Sequence, residues 1–408
     1  DAKDDIVMPG LIDVHAHLFQ VLMRGIGVDL DLTDWIFKSI YPISKRLFRK
    51  EAKTAALMNT VEMIKTGTTV FDDCHYINID KYCNDGIAEA IEEIGIRGII
   101  GRAAVNQAPV PECFHEDPDT AYKECERIIK EYHGKANGRI SVRVEPMSEA
   151  LSSKEMLLAM REVSRKYHVG MNMHAAEIAQ RVENLRKKTG MSTIEYLYDN
   201  NILGPDVLLA HCVWVSRKEI ELLKVTDTKV AHNAVSNPYL ADGIAPIPEM
   251  LAAGVTVGIG CDGAASNNNQ DMFAAMKMAI MMQRASRLDP SCLNAQKALE
   301  MATIDGARCL NMEDEIGSFE AGKKADVIIV STKGPEMIPS LGFVSHLVYS
   351  TNGNAVQTVF VDGKMVMKDR ELLTVDEEKI KYETEETVKR MVDESGAGNL
   401  LETGWKFI

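Results

Sequence analysis

Short apolar runs recur along the chain, and each is followed by a longer segment in which apolar residues have helical spacing. Such alternation is typical of βα units that build a parallel sheet. Eight units in roughly 250 residues match a (β/α)8 barrel of the TIM type, so the pattern predicts an α/β fold of that kind. The predicted strands are residues 11–18, 68–76, 97–105, 139–147, 169–177, 207–215, 229–237 and 255–263.

The segments between and after these strands have the spacing of amphipathic helices, in which every third or fourth residue is apolar. Within the first of them, Met156, Met160 and Val163 fall on one face, which indicates packing against the sheet. The predicted helices are residues 152–168, 218–224, 268–287 and 293–311.

The pattern changes near residue 320. Residues 323–331 and 354–372 have the alternation of β-strands, and the second of these segments contains an Asp362-Gly363 turn between two alternating runs. From about residue 376 the chain is charged and has helical spacing. We therefore expect a small β subdomain after the barrel and a helical tail.

Composition excludes several classes of function. The 408 residues are 46% hydrophobic, which suffices for a large core, and 60 acidic against 46 basic residues give a net charge of -14. Without a basic stripe, nucleic acid is excluded as a partner. No apolar run approaches the ~20 residues that span a bilayer, and the first ten residues are acidic, so no membrane association is expected.

The eight cysteines are scattered without a CxxC pair, which indicates reduced thiols and a cytoplasmic protein. Because the first residue is Asp and not Met, we expect the sequence to begin inside a longer chain.

Polar residues gather where the predicted strands end. Side chains at positions i and i+2 of a strand project to the same face, so His15 and His17 can bind one ion together. An isolated HxH pair is more often two hydrogen-bonded histidines, but His174 and Asp262 at other strand ends supply the remaining ligand types of a divalent metal site. Further polar residues in the later strands are Glu177, His211 and His232.

Six segments together resemble the amidohydrolase superfamily, in the branch that contains cytosine deaminase, the methylthioadenosine and adenosylhomocysteine deaminases, and the triazine hydrolases. The segments are "PGLIDVHAHL", "MHAAE", "LLAHCV", "VAHNAVSN", "GIGCDGAASNNNQDMF" and "EIGSFEAGKKADVIIV", and they cover nearly the whole chain. The resemblance implies a barrel over residues 11–312 and a small β-sandwich from residues 1–10 and 313–375, most of whose amino-terminal half would precede this sequence. Residues 376–408 would be the charged helical tail.

The resemblance also implies roles for the polar residues. His15, His17, His174 and Asp262 would bind one metal ion, Glu177 would shuttle protons, and His211 would hydrogen-bond the attacking water. A divalent ion lowers the pKa of water toward ~7, Asp262 can accept part of the released proton, and Glu177 can protonate the ring nitrogen and the departing amine.

The resemblance implies only one metal ion, because members with two metal ions usually bridge them with a modified lysine at the end of strand four, and residues 139–147 contain no lysine. Glu145 or Glu149 offers an alternative second site, although an ordinary hydrogen-bonded glutamate is the simpler interpretation. His232 is expected to support the residues that form the site without itself taking part in the reaction. A direct role in the reaction is the alternative. Zinc is the expected metal, with iron or manganese as alternatives.

Two positions depart from the adenosine-type relatives. Met147 stands where those carry the histidine of a "PHxPY" segment, and Ser44 stands where they carry a glutamate that holds ribose hydroxyls. Both changes remove polar contacts for a nucleoside and predict a compact, more apolar pocket. Candidate substrate contacts are Trp35, Asp73, His75, Arg102 and Met147; Trp35 packed under a loop and Arg102 in a buried ion pair are the alternatives.

The sequence therefore predicts a hydrolytic deaminase of a small cyclic amidine or amino-heterocycle, similar to creatinine, cytosine or an aminotriazine. The alternatives are a methylthioadenosine or adenosylhomocysteine type of nucleoside deaminase, and a hydrolase that removes another leaving group from a small N-heterocycle. A binding or scaffold protein that has lost its chemistry would lack a ligand or the shuttle, and none is missing here. The expected partner is a small-molecule substrate, and a homo-oligomer is compatible with the sequence.

Overall fold

The computed structural model describes residues 2–401. Within that range the strands form a nine-stranded parallel sheet and a five-stranded antiparallel sheet. The strands are β1 (Ile6–Pro9), β2 (Leu11–His17), β3 (Thr68–His75), β4 (Arg97–Ala104), β5 (Ile140–Pro146), β6 (Met171–Ala175), β7 (Val207–His211), β8 (Lys229–His232), β9 (Val257–Ile259), β10 (Asp262–Gly263), β11 (Val327–Val330), β12 (Val356–Val361), β13 (Lys364–Lys368) and β14 (Glu371–Leu372).

The parallel sheet closes into a barrel. Its strand order is β10-β2-β3-β4-β5-β6-β7-β8-β9, and β9 and β10 are the two halves of the eighth predicted strand, interrupted at Gly260 and Cys261. Because β9 pairs with β8 and β10 pairs with β2, this last strand joins both edges of the sheet. The predicted fold class, a TIM-type barrel with a small β subdomain, is confirmed.

Helices cover the outside of the barrel. Helix α4 begins after Ser153, whose side chain accepts a hydrogen bond from the Met156 backbone N–H, and it buries the predicted apolar face. The α-helices of six or more residues are α1 (Arg49–Lys65), α2 (Cys83–Ile94), α3 (Pro118–Tyr132), α4 (Lys154–Tyr167), α5 (Ala179–Thr189), α6 (Thr193–Asp199), α7 (Arg217–Val225), α8 (Ile247–Ala253), α9 (Met272–Arg287), α10 (Ala295–Met301), α11 (Ile304–Cys309), α12 (Phe343–Tyr349) and α13 (Glu377–Ser395).

Further helical segments, which are 3-10 helices, a π-helix or single α-helical turns, lie in the connections. They are Leu18–Met23, Leu32–Trp35, Ile36–Ile40, Tyr41–Ser44, Glu112–Phe114, Lys135–Gly138, Ser236–Tyr239, Pro335–Met337, Gly353–Ala355 and Ala397–Leu401. Those between residues 18 and 44 follow β2 directly and cover the end of the barrel at which its strands finish.

Several element limits differ from the predicted ones. The strands predicted at 207–215 and 229–237 end early, at His211 and His232, and positive φ angles at His211 and Cys212 interrupt the extended conformation of the first. The helix predicted at 293–311 is two helices, α10 and α11, with a break at Ala302 and Thr303.

The antiparallel sheet joins the two ends of the described chain. Its order is β1-β11-β12-β13-β14, and a turn at Asp362 and Gly363 connects β12 to β13. The domain limits 11–312 and 313–375 stay a prediction, and residues 402–408 of the predicted tail lie outside the described residues.

The chain passes from the antiparallel sheet directly into the parallel sheet, because β1 runs into β2. Only Gly10 separates β1 from β2, and a Cβ atom on Gly10 would lie 2.0 Å from Thr69 Oγ1, so only glycine allows this close approach. A buried ion pair between Arg97 Nε and Asp326 Oδ2, 2.8 Å apart, ties the start of β4 to the segment before β11. Between residues 2 and 401, no helix combines the length and the apolar character needed to cross a bilayer.

Candidate active site

Four potential metal ligands converge at the carboxyl ends of the barrel strands. His15 and His17 project from β2, His174 from β6, and Asp262 begins β10. Their ligand atoms all lie within 4.8 Å of one another, and all four residues are buried. Asp262 Oδ1 is 3.1 Å from His17 Nε2 and 3.5 Å from His15 Nε2, and the Nε2 atoms of His17 and His174 are 3.3 Å apart. We call these four residues the ligand cluster.

The hydrogen bonding of the ligand cluster fits a bound cation. His15 Nε2 and Asp262 Oδ1 are buried and have no hydrogen-bond partner among the described residues. Unpaired buried polar atoms are costly unless a ligand satisfies them. Three imidazole nitrogens and one carboxylate oxygen are a donor set that zinc and related divalent ions accept. The residues therefore fit one divalent metal ion.

Two of the three histidines have the protonation state that metal binding requires, since only neutral imidazole has a free lone pair. Burial lowers the pKa of His15 to about 4, and it lowers the pKa of His174 well below its usual value. Burial also disfavours the charged form of His17, but the neighbouring Asp262 carboxylate outweighs it and raises the His17 pKa. Burial alone would raise the pKa of Asp262, but the imidazoles of His15 and His17 hold that pKa well below its usual range. Two neutral imidazoles therefore face an ionised carboxylate.

Neighbouring groups orient the ligand cluster. His17 Nδ1 donates to the Cys74 carbonyl at 2.8 Å, so its Nε2 faces the cluster. Asp262 Oδ2 accepts from Ser266 Oγ at 2.9 Å, which leaves Oδ1 toward the histidines. Asp73 Oδ1 accepts from the Leu18 backbone N–H at 2.8 Å and so holds the turn that follows His17.

Glu177 and His211 lie side by side next to the cluster. Glu177 Oε1 is 3.6 Å from His211 Nε2, and the ring centroids of His211 and His174 are 5.0 Å apart. His211 Nδ1 donates to Asn237 Oδ1 at 2.8 Å, which leaves Nε2 as an acceptor, and Asn233 Nδ2 lies 3.3 Å from it. The other carboxylate oxygen, Glu177 Oε2, accepts from Arg181 Nη1 at 3.0 Å.

The backbone is strained at two of these positions. His211 has a φ of +76° and Asp262 a φ of +61°, which non-glycine residues rarely adopt. Such conformations cost of order ~1–3 kcal/mol and cluster at functional sites. The strain here coincides with the two strand ends that deliver a candidate ligand and a candidate proton-transfer group.

A cavity adjoins the ligand cluster, and we call it the inner cavity. The structure brings Trp35 and Met147, both predicted as substrate contacts, to its wall. Its described lining residues are His17, Gln20, Leu32, Trp35, Ile36, Tyr41, Tyr76, Val105, Val110, Met147, Leu151, His174, Glu177, Arg181, Leu240 and Asp262.

Three other predicted contacts do not reach this wall. Asp73 is fully buried, His75 Nε2 donates to the Ile77 carbonyl at 2.8 Å, and Arg102 Nη2 donates to Glu116 Oε1 at 2.6 Å. Arg102 is thus a buried ion-pair member, and the other two support the backbone around the cluster. A direct contact of these three residues with the substrate stays a prediction.

The remaining predicted positions are also placed. His232 is buried at the end of β8 and does not line the inner cavity, and burial lowers its pKa to about 3. Ser44 is buried, with Oγ 3.9 Å from Met23 Sδ. Glu145 lies buried inside the barrel, while Glu149 Oε1 accepts from Thr193 Oγ1 at 3.1 Å. Neither glutamate belongs to a potential metal cluster among the described residues.

A second cavity, the outer cavity, lies beside the inner one. The two share Ile36, Tyr41, Leu151 and Arg181. The described lining residues of the outer cavity are Thr33, Ile36, Phe37, Tyr41, Gln107, Ala108, Pro109, Glu149, Ala150, Leu151, Ile178, Gln180, Arg181, Asn184, Leu185 and Lys188.

The sequence analysis missed Gln20, Tyr41, Tyr76, Arg181 and Asn237. A signal existed for Asn237, which ends the quoted segment "VAHNAVSN", and for Arg181, which follows Glu177 by one helical turn. For the other three no motif pointed to the cavity.

Comparison with known proteins agrees with this geometry. A model described as "Amidohydrolase family" matches residues 6–366. The 5'-deoxyadenosine deaminase of Methanobrevibacter smithii is 37% identical over 97% of this chain and 88% of its own length. The 5-methylthioadenosine/S-adenosylhomocysteine deaminase of Desulforamulus reducens is 35% identical over 96% of this chain and 87% of its own. Among solved structures, an adenosine deaminase from Xanthomonas campestris with bound zinc has a TM-score of 0.90 at 26% identity, and covers 96% of this chain and 87% of that one.

Proposed function

Because the chain belongs to the amidohydrolase family, we propose that it is a metal-dependent hydrolytic deaminase that releases ammonia from the adenine ring of a 5'-modified adenosine. The relatives described above carry names of this activity, and their similarity extends over nearly the whole chain. The observation that carries the proposal is the placement of Glu177 Oε1 3.6 Å from His211 Nε2, beside a cluster with four converging ligand atoms.

His15, His17, His174 and Asp262 would hold the metal ion. When bound, such an ion makes hydroxide accessible near neutral pH and thereby supplies the nucleophile. The other steps belong to side chains of this protein.

His211 Nε2 accepts a hydrogen bond from the attacking water and orients it, because Asn237 holds the opposite ring nitrogen. Glu177 takes a proton from that water and gives it to the ring nitrogen next to the attacked carbon. A new C–O bond forms at this carbon.

The C–N bond then breaks, and the amine must leave with an additional proton as ammonia. This second proton comes from the hydroxyl group that is now bound to the carbon; the Asp262 carboxylate accepts it transiently and Glu177 delivers it to the amine, so the carbonyl forms as the C–N bond breaks. The net reaction exchanges one water for one ammonia, and the ring amine becomes a carbonyl.

A second candidate is the deamination of a small cyclic amidine or aminotriazine. Met147 favours it, because this apolar side chain lines the inner cavity where a polar contact to a nucleoside would be expected, and because Ser44 is buried away from the cavity. The outer cavity favours the nucleoside, since it offers space for a substituent beside the inner cavity.

A panel assay for ammonia release by the full chain distinguishes the two. We expect 5'-deoxyadenosine and methylthioadenosine to be turned over with kcat/KM of about 10⁴ M⁻¹s⁻¹ or more, and cytosine, creatinine and an aminotriazine at least about a hundredfold less efficiently. The reverse order would establish the second candidate. Release of no ammonia from any compound, by protein with a filled metal site, would disprove both.

Metal analysis of protein purified without added ions tests the site itself. We expect about one zinc ion per chain, and its loss on substitution of His17 by alanine. Iron or manganese at the same stoichiometry would leave the proposed reaction intact and change only the metal.

A further inference from the structure

Arg181 contacts the proposed proton shuttle directly. It lies in the first turn of α5, four residues after Glu177, and its Nη1 donates to Glu177 Oε2 at 3.0 Å. The Arg181 side chain is 22% exposed and that of Glu177 is 7% exposed. The ion pair is therefore largely shielded from water, and such pairs are stronger and more directional than surface ones.

The two oxygens of Glu177 have different neighbours. Oε2 is bound by Arg181, while Oε1 lies 3.6 Å from His211 Nε2. A glutamate side chain has several rotatable bonds, and it needs such a fixed contact to stay in one orientation. Arg181 supplies this contact from the side away from His211.

Arg181 also lies where the two cavities meet, because it lines both of them. A guanidinium has five N–H donors, and Glu177 accepts from one of its nitrogens. On the same helix face, Asn184 and Lys188 line the outer cavity one and two turns further along, so this wall is rich in donors. Phe37, Pro109 and other apolar side chains form much of the rest.

We propose that Arg181 is a positioning residue for Glu177 and that it also binds an acceptor oxygen on the part of the substrate that extends into the outer cavity. This inference rests on the proposed function. One guanidinium would thus place the proton shuttle and at the same time determine which ring substituents are accepted.

Kinetics of Arg181→Met and Arg181→Lys test both roles, with Arg186→Met on the exposed side of the same helix as the control. The substrates are 5'-deoxyadenosine and S-adenosylhomocysteine, which extend beyond the ring, and adenine, which does not. For Arg181→Met we expect kcat to fall about 10- to 100-fold on every substrate, because Glu177 loses its orientation.

We further expect KM to rise about tenfold for the two nucleosides and to stay unchanged for adenine, because only the nucleosides reach the outer cavity. Arg181→Lys keeps a cation and should recover part of kcat, whereas Arg186→Met should match the unmodified protein. A kcat within threefold of the unmodified protein in Arg181→Met overturns the proposal. Equal effects on adenine and the nucleosides, without recovery by lysine, also overturn it, since they indicate only a structural role.

A second measurement does not depend on the substrate. In crystal structures of the unmodified protein and Arg181→Met, we expect Glu177 Oε1 to move away from His211 by about 1 Å or more in the variant. An unchanged Glu177 orientation would disprove the positioning role. If the unmodified protein deaminates no adenine compound, the proposed function is wrong, and this comparison still decides whether Arg181 positions Glu177.

Discussion

Three members of the ligand cluster, His15, His17 and His174, lie on strands that are hydrogen-bonded on both sides, and Asp262 lies on β10, which pairs with β2. The outer cavity is lined instead by α5, by the helical segments between residues 32 and 44, and by the connections at 107–109 and 149–151. In the cluster, buried polar atoms remain without partners and the backbone is strained at Asp262. In the outer cavity, Asn184 and Lys188 are exposed and reach solvent.

The difference separates two tasks of an active site. Strand ends fix ligand atoms within a few ångströms because the neighbouring strands hold them. Helices and loops can change their side chains without disturbing that arrangement. Substitutions in the cluster should therefore abolish the proposed reaction, while substitutions in the outer cavity should change substrate affinity, except at Arg181, which also contacts Glu177.

The largest effect is expected for Glu177→Gln. The amide keeps the size of the side chain but cannot carry the proton, so kcat should fall about 10²- to 10⁴-fold. Ammonia release measures the rate, and metal analysis verifies that the metal site is unaffected. Glu183→Gln, on the exposed side of α5, is the matched control; a kcat within tenfold of the unmodified protein in Glu177→Gln would contradict the assigned role.

A smaller loss is expected for Asn237→Ala, which removes the acceptor 2.8 Å from His211 Nδ1. Substitution of such supporting groups costs about 10- to 100-fold in activity. Asn184→Ala in the outer cavity is the counterpart, and it should change KM by less than about threefold with kcat unchanged. If both variants lost kcat equally, the distinction between the two regions would be wrong.

The stability of the protein should depend on pH through His75. Burial lowers its pKa in the folded protein to about 4, whereas the unfolded chain binds this proton below about pH 6.5. Stability is therefore complete above pH 6.5 and falls as the pH drops from 6.5 toward 4, by ~2 kcal/mol between pH 6.5 and 5 for this residue alone.

Urea unfolding of the unmodified protein and of His75→Gln at pH 7 and pH 5 measures this contribution. The amide can still donate to the Ile77 carbonyl, and deaminase activity at pH 7 should stay within threefold, because His75 does not line the inner cavity. An equal loss of stability in both proteins would show that His75 contributes nothing to the pH dependence.

The smallest effect is expected for Met147→His in the wall of the inner cavity. A new donor should raise the preference for a nucleoside over a small ring by about fivefold, the value of one net hydrogen bond of ~1 kcal/mol. Met147→Leu keeps the wall apolar and should leave the ratio of kcat/KM values unchanged. A ratio that falls in Met147→His would support the small-ring substrate.

The barrel and the ligand cluster could be predicted from the sequence because their signals are local and periodic. Apolar runs define the strands, and His15 and His17 share a face by their spacing alone. His174 and Asp262 could be added because the carboxyl ends of parallel strands meet at one end of a barrel. Strand position and residue type together were thus sufficient to predict the ligand cluster.

Substrate contacts could not be predicted in the same way. A strand-end position does not tell which side chain reaches the cavity: Tyr76 lines it, while the neighbouring His75 packs against Phe19 with ring centroids 5.6 Å apart. Tyr41 and Arg181 come from segments whose path over the barrel depends on tertiary packing. No periodicity encodes that path.

The continuous path from β1 through Gly10 into β2 has a consequence for folding. His15 and His17 lie five and seven residues beyond Gly10, on a strand whose preceding residues belong to the other sheet. Local opening of the small sheet would release the start of β2, so occupancy of the cluster should slow amide exchange in Ile6–Pro9 and in its partner Val327–Val330. The antiparallel sheet and the ligand cluster then belong to one cooperative unfolding unit. The sheet stabilises the positions of the ligands although it contributes no atom to the site.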